Sequence, residues 1–183
     1  MNSFWKNKNV LVTGHTGFKG SWLVLFLKFF DANILGISSE KREGVYELTN
    51  LSSLVDSEEF IDLAEHSTSL ESRVASFSPD IIFHFAAQSL VIEGYKDPLK
   101  TVKSNVVAPM NLINAINKTN ENATLVIATT DKVYKNKERT TERKYLNFTI
   151  VILVFMPCTN ITCLTFKLDG SYRIKPIKRV KAN

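Results

Sequence analysis

A short apolar run, Val10-Leu11-Val12, passes straight into three glycines at Gly14, Gly17 and Gly20, and an apolar, helix-compatible segment follows from Ser21 to Phe30. In order, this is strand, tight turn and helix. Glycine has no Cβ, so the backbone can turn sharply there, approach a pyrophosphate closely, and let the helix pack near the strand. The start of such a helix presents free N–H groups and the positive end of its dipole to an anion. Three glycines alone also describe an ordinary Gly-rich turn. Their place after a strand and before a helix is what points to dinucleotide binding, with Gly14, Thr16, Gly17, Phe18, Lys19 and Gly20 as the candidate cradle.

Composition sets the outer limits. With 183 residues, 44% hydrophobic and 22% charged, the chain fits one globular domain with its own core. A net charge of +5 raises the question of a nucleic-acid partner, but the distribution answers it. Twelve of the 23 Lys and Arg residues follow Asp131, against three of the 18 acidic ones. The front part is mildly acidic, which argues against a DNA-reading face. Cys158 and Cys163 have no second Cys/His cluster with which to build a zinc site, so no metal is expected. Met1 to Lys8 lacks the apolar core of a secretory signal, so the expected setting is reducing and cytoplasmic.

Beyond the first helix, Ala32 to Ile37 reads as a second strand ending at Ser38-Ser39-Glu40. Glu40 lies 20 residues past Gly20, where an acidic group commonly accepts from adenosine ribose hydroxyls and disfavours a 2′-phosphate. That favours NAD over NADP; Lys41 and Arg42 pull the other way, and all three are also readable as solvated loop charges. Val45 to Ser57 reads as a short helix or loop, and a third strand is expected to end at Phe60-Ile61. Asp62 and Leu63 would then sit at its carboxyl end, against the adenine, unless Asp62 is simply a helix cap. Helical spacing runs through Leu70, Val74 and Phe77 and is stopped by Ser78-Pro79.

The run Asp80 to Gln88 has the continuous apolar character of a parallel strand buried on both faces. Small residues at Ala86 and Ala87 leave room for a ribose or nicotinamide, and Gln88 follows them; His84 reads as a core histidine rather than a catalyst. A helix is expected near Pro98 to Asn117, with Asn105 as either a surface residue or a buried hydrogen-bonding clamp. Ala123 to Ala128 is another core strand, and it delivers Thr129-Thr130-Asp131-Lys132-Val133-Tyr134 at its carboxyl end. Such sheets put reactive groups there, and a hydroxyl, a carboxylate and an ammonium in succession suit substrate orientation and proton transfer; a polar turn closing a strand reads the same way.

Three blocks now stand together: Thr13 to Trp22, Phe83 to Val91, and Thr130 to Tyr134. They resemble the extended short-chain dehydrogenase/reductase superfamily. The turn with His15 and Lys19, plus the Asp131-Lys132 pair, resembles its CDP-glucose 4,6-dehydratase branch, over roughly Phe4 to Glu138. The resemblance implies a Rossmann-like, doubly wound parallel α/β sheet, tightly held NAD as cofactor, and a nucleotide sugar, CDP-glucose, as substrate. It also implies a role in polysaccharide biosynthesis and a homodimer. In that branch NAD takes hydride from C4 of the sugar, water is lost across C5 and C6, and the hydride returns to C6. Carried over, Thr130 would hold the 4-hydroxyl, Asp131 would protonate the departing C6 hydroxyl, and Lys132 would stand in the partner position for C5 deprotonation.

The departures matter equally. The superfamily uses a Tyr-x-x-x-Lys pair, yet Tyr46, Tyr95, Tyr134, Tyr145 and Tyr172 are followed four residues on by Asn50, Leu99, Glu138, Thr149 and Pro176. Ile61 replaces a usual small residue, and Ile92 a usual basic one. From Arg139 the likeness stops. Residues 1–138 therefore read as an incomplete NAD-binding domain and 139–183 as a divergent apolar and basic tail, expected to be out of frame or otherwise non-homologous. The apolar run Tyr145 to Pro157 is 13 residues, short of the roughly 20 that a spanning helix needs. The expectation is a truncated, inactive dehydratase of poor solubility; the alternatives are an NAD-binding fragment that serves as a binding or interaction protein, or another nucleotide-sugar epimerase or dehydratase.

Overall fold

The structure is a computed structural model that describes residues 4–119 and 122–129, together with the backbone of 149–156 and 160–167. The chain forms two compact units, residues 1–123 and 124–183.

The first unit alternates strand and helix. In it β1 (Asn9–Thr13), β2 (Asn33–Ser38), β3 (Ser57–Phe60) and β4 (Ile81–His84) make a parallel sheet in the order β3-β2-β1-β4. This order is the winding of a Rossmann-like sheet: the chain steps outward from β1 to β3, then returns to β1's other side. The registers Leu11↔Leu35 and Leu11↔Ile82 put three fully buried side chains in one row. Val10, Val12 and Ile34 alternate to the opposite face, where they meet Val24 and Leu27 of α1 (Phe18–Phe29), with Tyr46 of α2 (Val45–Leu48) and Leu51 beyond. On the other layer α3 (Ser67–Phe77) packs on α6 (Ala108–Thr119), and the two bury Leu70, Val74, Leu112 and Ala115.

The segment expected as one helix from Pro98 to Asn117 is three pieces. Behind an unforeseen α4 (Val91–Lys96), the chain runs through α5 (Pro98–Val102), a π-helical turn at Lys103–Val107, and α6. Asp97 caps α5, its carboxylate accepting from the Lys100 N–H at 2.9 Å, with Pro98 at the first helical position where its missing N–H costs nothing. The strand read in Asp80 to Gln88 is only four residues long, because its neighbour β1 ends: Thr13↔His84 is the last register pair.

In the second unit β5 (Thr124–Ala128) pairs antiparallel with β6 (Thr149–Met156), and β6 pairs antiparallel with β7 (Asn160–Lys167). Within the apolar run of the tail, residues 149–156 are thus a strand. Among the described residues no helix is long and apolar enough to cross a membrane.

Candidate dinucleotide cleft

The carboxyl ends of the four parallel strands open onto one cleft of about 400 Å³. Gly14, Thr16 and Gly17 supply the turn after β1; Ser38, Ser39, Glu40 and Arg42 follow β2; Asp62 and Leu63 follow β3; Ala86, Ala87 and Gln88 follow β4. This is where open α/β sheets place their ligands.

Two glycines of the turn are required by its geometry. Gly14 has φ +74°, and a Cβ there would stand 2.6 Å from the Ala86 nitrogen. A Cβ on Gly20 would land on the Gly14 carbonyl. The Gly14 N–H donates to the Ile37 carbonyl at 2.7 Å, and the Gly17 N–H to the Gly14 carbonyl at 3.0 Å, so the turn is closed on itself and on β2. Gly17 then starts α1 without a side chain to cap it. The first N–H groups of a helix have no intrahelical acceptor, so the amides of Phe18 and Lys19 at the exposed start of α1 can receive an anion, whereas Gly20 is buried and lies outside the cleft lining. The Phe18 and Lys19 side chains themselves point outward from the first turn of α1, and neither lines the cleft.

Beneath the turn lies a polar network that sequence reasoning did not find. His15 is fully buried; its Nδ1 is 2.9 Å from Ser38 Oγ and its Nε2 3.1 Å from Glu58 Oε2. Ser38 Oγ also accepts from the Thr16 N–H at 3.3 Å, while Thr16 Oγ1 donates to the Glu40 carbonyl at 2.9 Å. Glu58 further accepts from the Tyr46 hydroxyl, at 2.9 Å, and from Ser52. Burial pushes the Glu58 carboxyl up, but the bonds from Ser52, His15 and Tyr46 together outweigh it and hold the group below its ordinary value. Burial, reinforced by that carboxylate, pushes the Tyr46 hydroxyl up. The imidazole occupies the space over Gly36, where a Cβ would come within 2.6 Å of the ring. A glycine inside an otherwise apolar strand was the one signal that some group approaches β2 closely.

A second buried pair closes β1 onto β4. Thr13 Oγ1 is 2.7 Å from His84 Nδ1 and accepts from the Ala86 N–H at 3.4 Å. Burial lowers His84 to a pKa of about 4, so the ring is neutral near pH 7, in keeping with a core histidine.

The outer rim is built from amide clamps. The Gln88 N–H donates to Asn105 Oδ1 at 2.8 Å, and Asn105 Nδ2 donates back to the Gln88 carbonyl at 2.9 Å. Asn105 is therefore a clamp, but an exposed one at the surface rather than the buried clamp expected as one alternative. The π-helical turn places it there, a wider turn of the kind that often marks functional sites. Asn111 Nδ2, which sequence reasoning passed over, donates to the Leu63 carbonyl at 2.8 Å and ties the wall that follows β3 to α6. Asp62 Oδ1 accepts from the Ala64 N–H at 2.8 Å, so its carboxylate caps a turn while lining the cleft; Leu63 is buried. The Glu40 carboxylate pairs with Arg42 at 3.3 Å, both well exposed. Thr130, Asp131 and Lys132 lie outside the described residues. Among the described residues no group of three or more His, Cys, Asp and Glu side chains is placed to hold a metal.

The family model described as GDP-mannose 4,6 dehydratase matches residues 11–146. The CDP-glucose 4,6-dehydratase of Salmonella typhimurium is 36% identical over 138 residues, which is 74% of this chain and 38% of that protein. The crystal structure of UDP-glucose-4-epimerase from Stenotrophomonas maltophila, with bound NAD and formylated UDP-arabinopyranose, superposes with a TM-score of 0.62 at 24% identity, over 73% of this chain and 40% of that one. The UDP-glucose 4-epimerase of Thermus thermophilus, in complex with NAD, gives a TM-score of 0.52 at 26% identity, over 60% of this chain and 33% of that one. The chain thus spans about two fifths of the length of the first of these relatives. With the glycine cradle, the strand-end cleft and a family model that runs through most of both, this chain belongs to the GDP-mannose 4,6 dehydratase family, among the nucleotide-sugar dehydratases and epimerases.

Proposed function

We propose that this chain is the dinucleotide-holding part of a nucleotide-sugar 4,6-dehydratase, with NAD as resident cofactor and CDP-glucose as substrate. The observation that carries the reading is the cradle itself: Gly14 at positive φ with no room for a Cβ, opening onto an uncapped helix start. An anionic dinucleotide fits that donor set. The amides at the start of α1 would take the pyrophosphate, Glu40 the adenosine ribose, Asp62 and Leu63 the adenine, and the small Ala86 and Ala87 would make room beside Gln88 for the nicotinamide ribose. Similarity to the Salmonella dehydratase supports CDP-glucose over other nucleotide sugars.

Bound NAD would supply reversible hydride transfer at C4 of the sugar, and the C4 ketone acidifies the C5 hydrogen. In this reading Thr130 orients the 4-hydroxyl, Asp131 donates a proton to the C6 oxygen as it leaves as water, and Lys132, in its neutral amine form, stands in the position that takes up the C5 proton. A cytoplasmic homodimer belongs to the same reading.

The missing Tyr-x-x-x-Lys spacing favours a narrower second reading, an NAD-binding protein that does not turn over by itself. Calorimetric titration with NAD and NADP, followed by incubation with CDP-glucose, tests both. NAD binding without a 4-keto-6-deoxy product is the expected result. Product formation would overturn inactivity; absence of any dinucleotide binding would overturn the cradle assignment.

A further inference from the structure

Nothing in dinucleotide binding by itself calls for a histidine ring buried below the glycine turn, yet His15 is fully enclosed and both its nitrogens are engaged. The bonds have a direction. The Glu58 carboxylate can only accept, so the ring carries its proton on Nε2; in the neutral ring Nδ1 is then an acceptor, and the Ser38 hydroxyl, which receives the Thr16 N–H, gives its own proton to Nδ1. One chain of donors runs from the Thr16 amide in the turn, through Ser38 on β2 and His15, to Glu58 on β3. The charged and titratable groups around the ring are Glu58 and Tyr46, whose ring meets the imidazole edge-on at 5.8 Å. From the helix side Ser21 Oγ donates to the His15 carbonyl at 2.9 Å, so backbone and side chain of the residue are both held.

We propose that His15 is a positioning residue for dinucleotide binding: as the Nε2–H tautomer it orients the Ser38 hydroxyl, which pins the Thr16 N–H inward and fixes the turn in the shape that leaves the first amides of α1 free for the pyrophosphate. The proposal rests on reading the cleft as a dinucleotide site. His15 does not touch the ligand. Its effect passes through Ser38 and Thr16, which line the cleft. Filling space is a different role, and the two separate experimentally. A phenyl ring fills the volume and loses both nitrogens; an asparagine loses volume but returns an acceptor near the Nδ1 position.

The test uses the full chain and three variants, His15→Phe, His15→Asn and Ser38→Ala, with folding checked by circular dichroism. Amide hydrogen exchange at Thr16 is read alongside the dissociation constant for NAD. The expected result is Thr16 exchange and NAD dissociation constant each raised about tenfold in His15→Phe and Ser38→Ala, with β1 and β2 amides unchanged and His15→Asn within about threefold of the parent. A His15→Phe variant that matches the parent in both readouts, or one that loses Thr16 protection while binding NAD unchanged, overturns the proposal. If His15→Phe does not fold, Ser38→Ala decides on the same criteria. If the parent binds no NAD, the cofactor reading fails, and positioning for that ligand is overturned with it; Thr16 exchange then reports separately whether the ring pins the turn.

Discussion

The two sides of the cleft are held by different physics. On the side of β2 and β3 the turn rests on a chain of polar groups in which His15, Ser38 and Thr16 are buried and Glu58 closes the outer end half-buried, so the inner bonds are shielded from water. On the β4 side the wall is held by exposed amide clamps between Gln88 and Asn105. Breaking one link of a buried network strands its partners without solvent to replace them, whereas water substitutes readily for an exposed clamp. The inner side is therefore the rigid reference and the outer rim the adjustable one.

That contrast breaks most severely at Gly14. A Gly14→Ala change meets both a positive φ and the Ala86 backbone, so it should destabilise the chain by about 4 kcal/mol, read by urea denaturation, and abolish dinucleotide binding. Next is acid. His84 titrates near 6.5 when unfolded and at about 4 in the fold, so stability is full above pH 6.5 and falls as pH drops towards 4, by roughly 3 kcal/mol in all. A His84→Asn variant should lose that slope in denaturation curves taken at pH 7 and pH 4.5; an unchanged slope would place the titration elsewhere.

Glu58→Ala should cost about 2 kcal/mol, because His15, Tyr46 and Ser52 lose one acceptor at a stroke. The Glu58 contribution has its own pH window: its folded value lies below the ordinary 4.5, so it is present above that and lost as pH falls through the lower value. The smallest effect is expected at the rim, where Asn105→Ala should cost under about 1 kcal/mol in the same assay. An Asn105 cost equal to that of Glu58 would erase the distinction between the two sides.

Much of this was legible from residues near one another in the chain. Strand, turn and first helix follow from Val10 to Phe30 because the glycines and the apolar run are local signals. So do Asp62 and Leu63 at the end of β3, and Ala86 to Gln88 after β4, since parallel strands deliver their next residues to one edge. The end of β4 was less legible, since Phe85-Ala86-Ala87 continue the apolar pattern and only the length of β1 stops the pairing. The π-helical turn within the Pro98 to Asn117 segment is invisible to a period of 3.6, which reads straight through it. The buried network was out of reach for another reason. Ser38 and Glu58 lie 23 and 43 positions from His15, and they meet only because the register sets Gly36 opposite Glu58 with the ring lying over that glycine.

The Gly36 gap has a consequence for how such a sequence can change. Positions 15 and 36 are a single decision split between the turn after β1 and the strand β2. A larger residue at 36 is excluded while the imidazole is present, and a smaller one at 15 leaves a void that a side chain at 36 would help to refill. The two sites should show strong sign epistasis, with Gly36→Ala harmful in the parent and tolerated or helpful once His15 is replaced by alanine. A path of single substitutions between the two solutions must first cross a less stable intermediate, which makes the pairing a kinetic trap in sequence space.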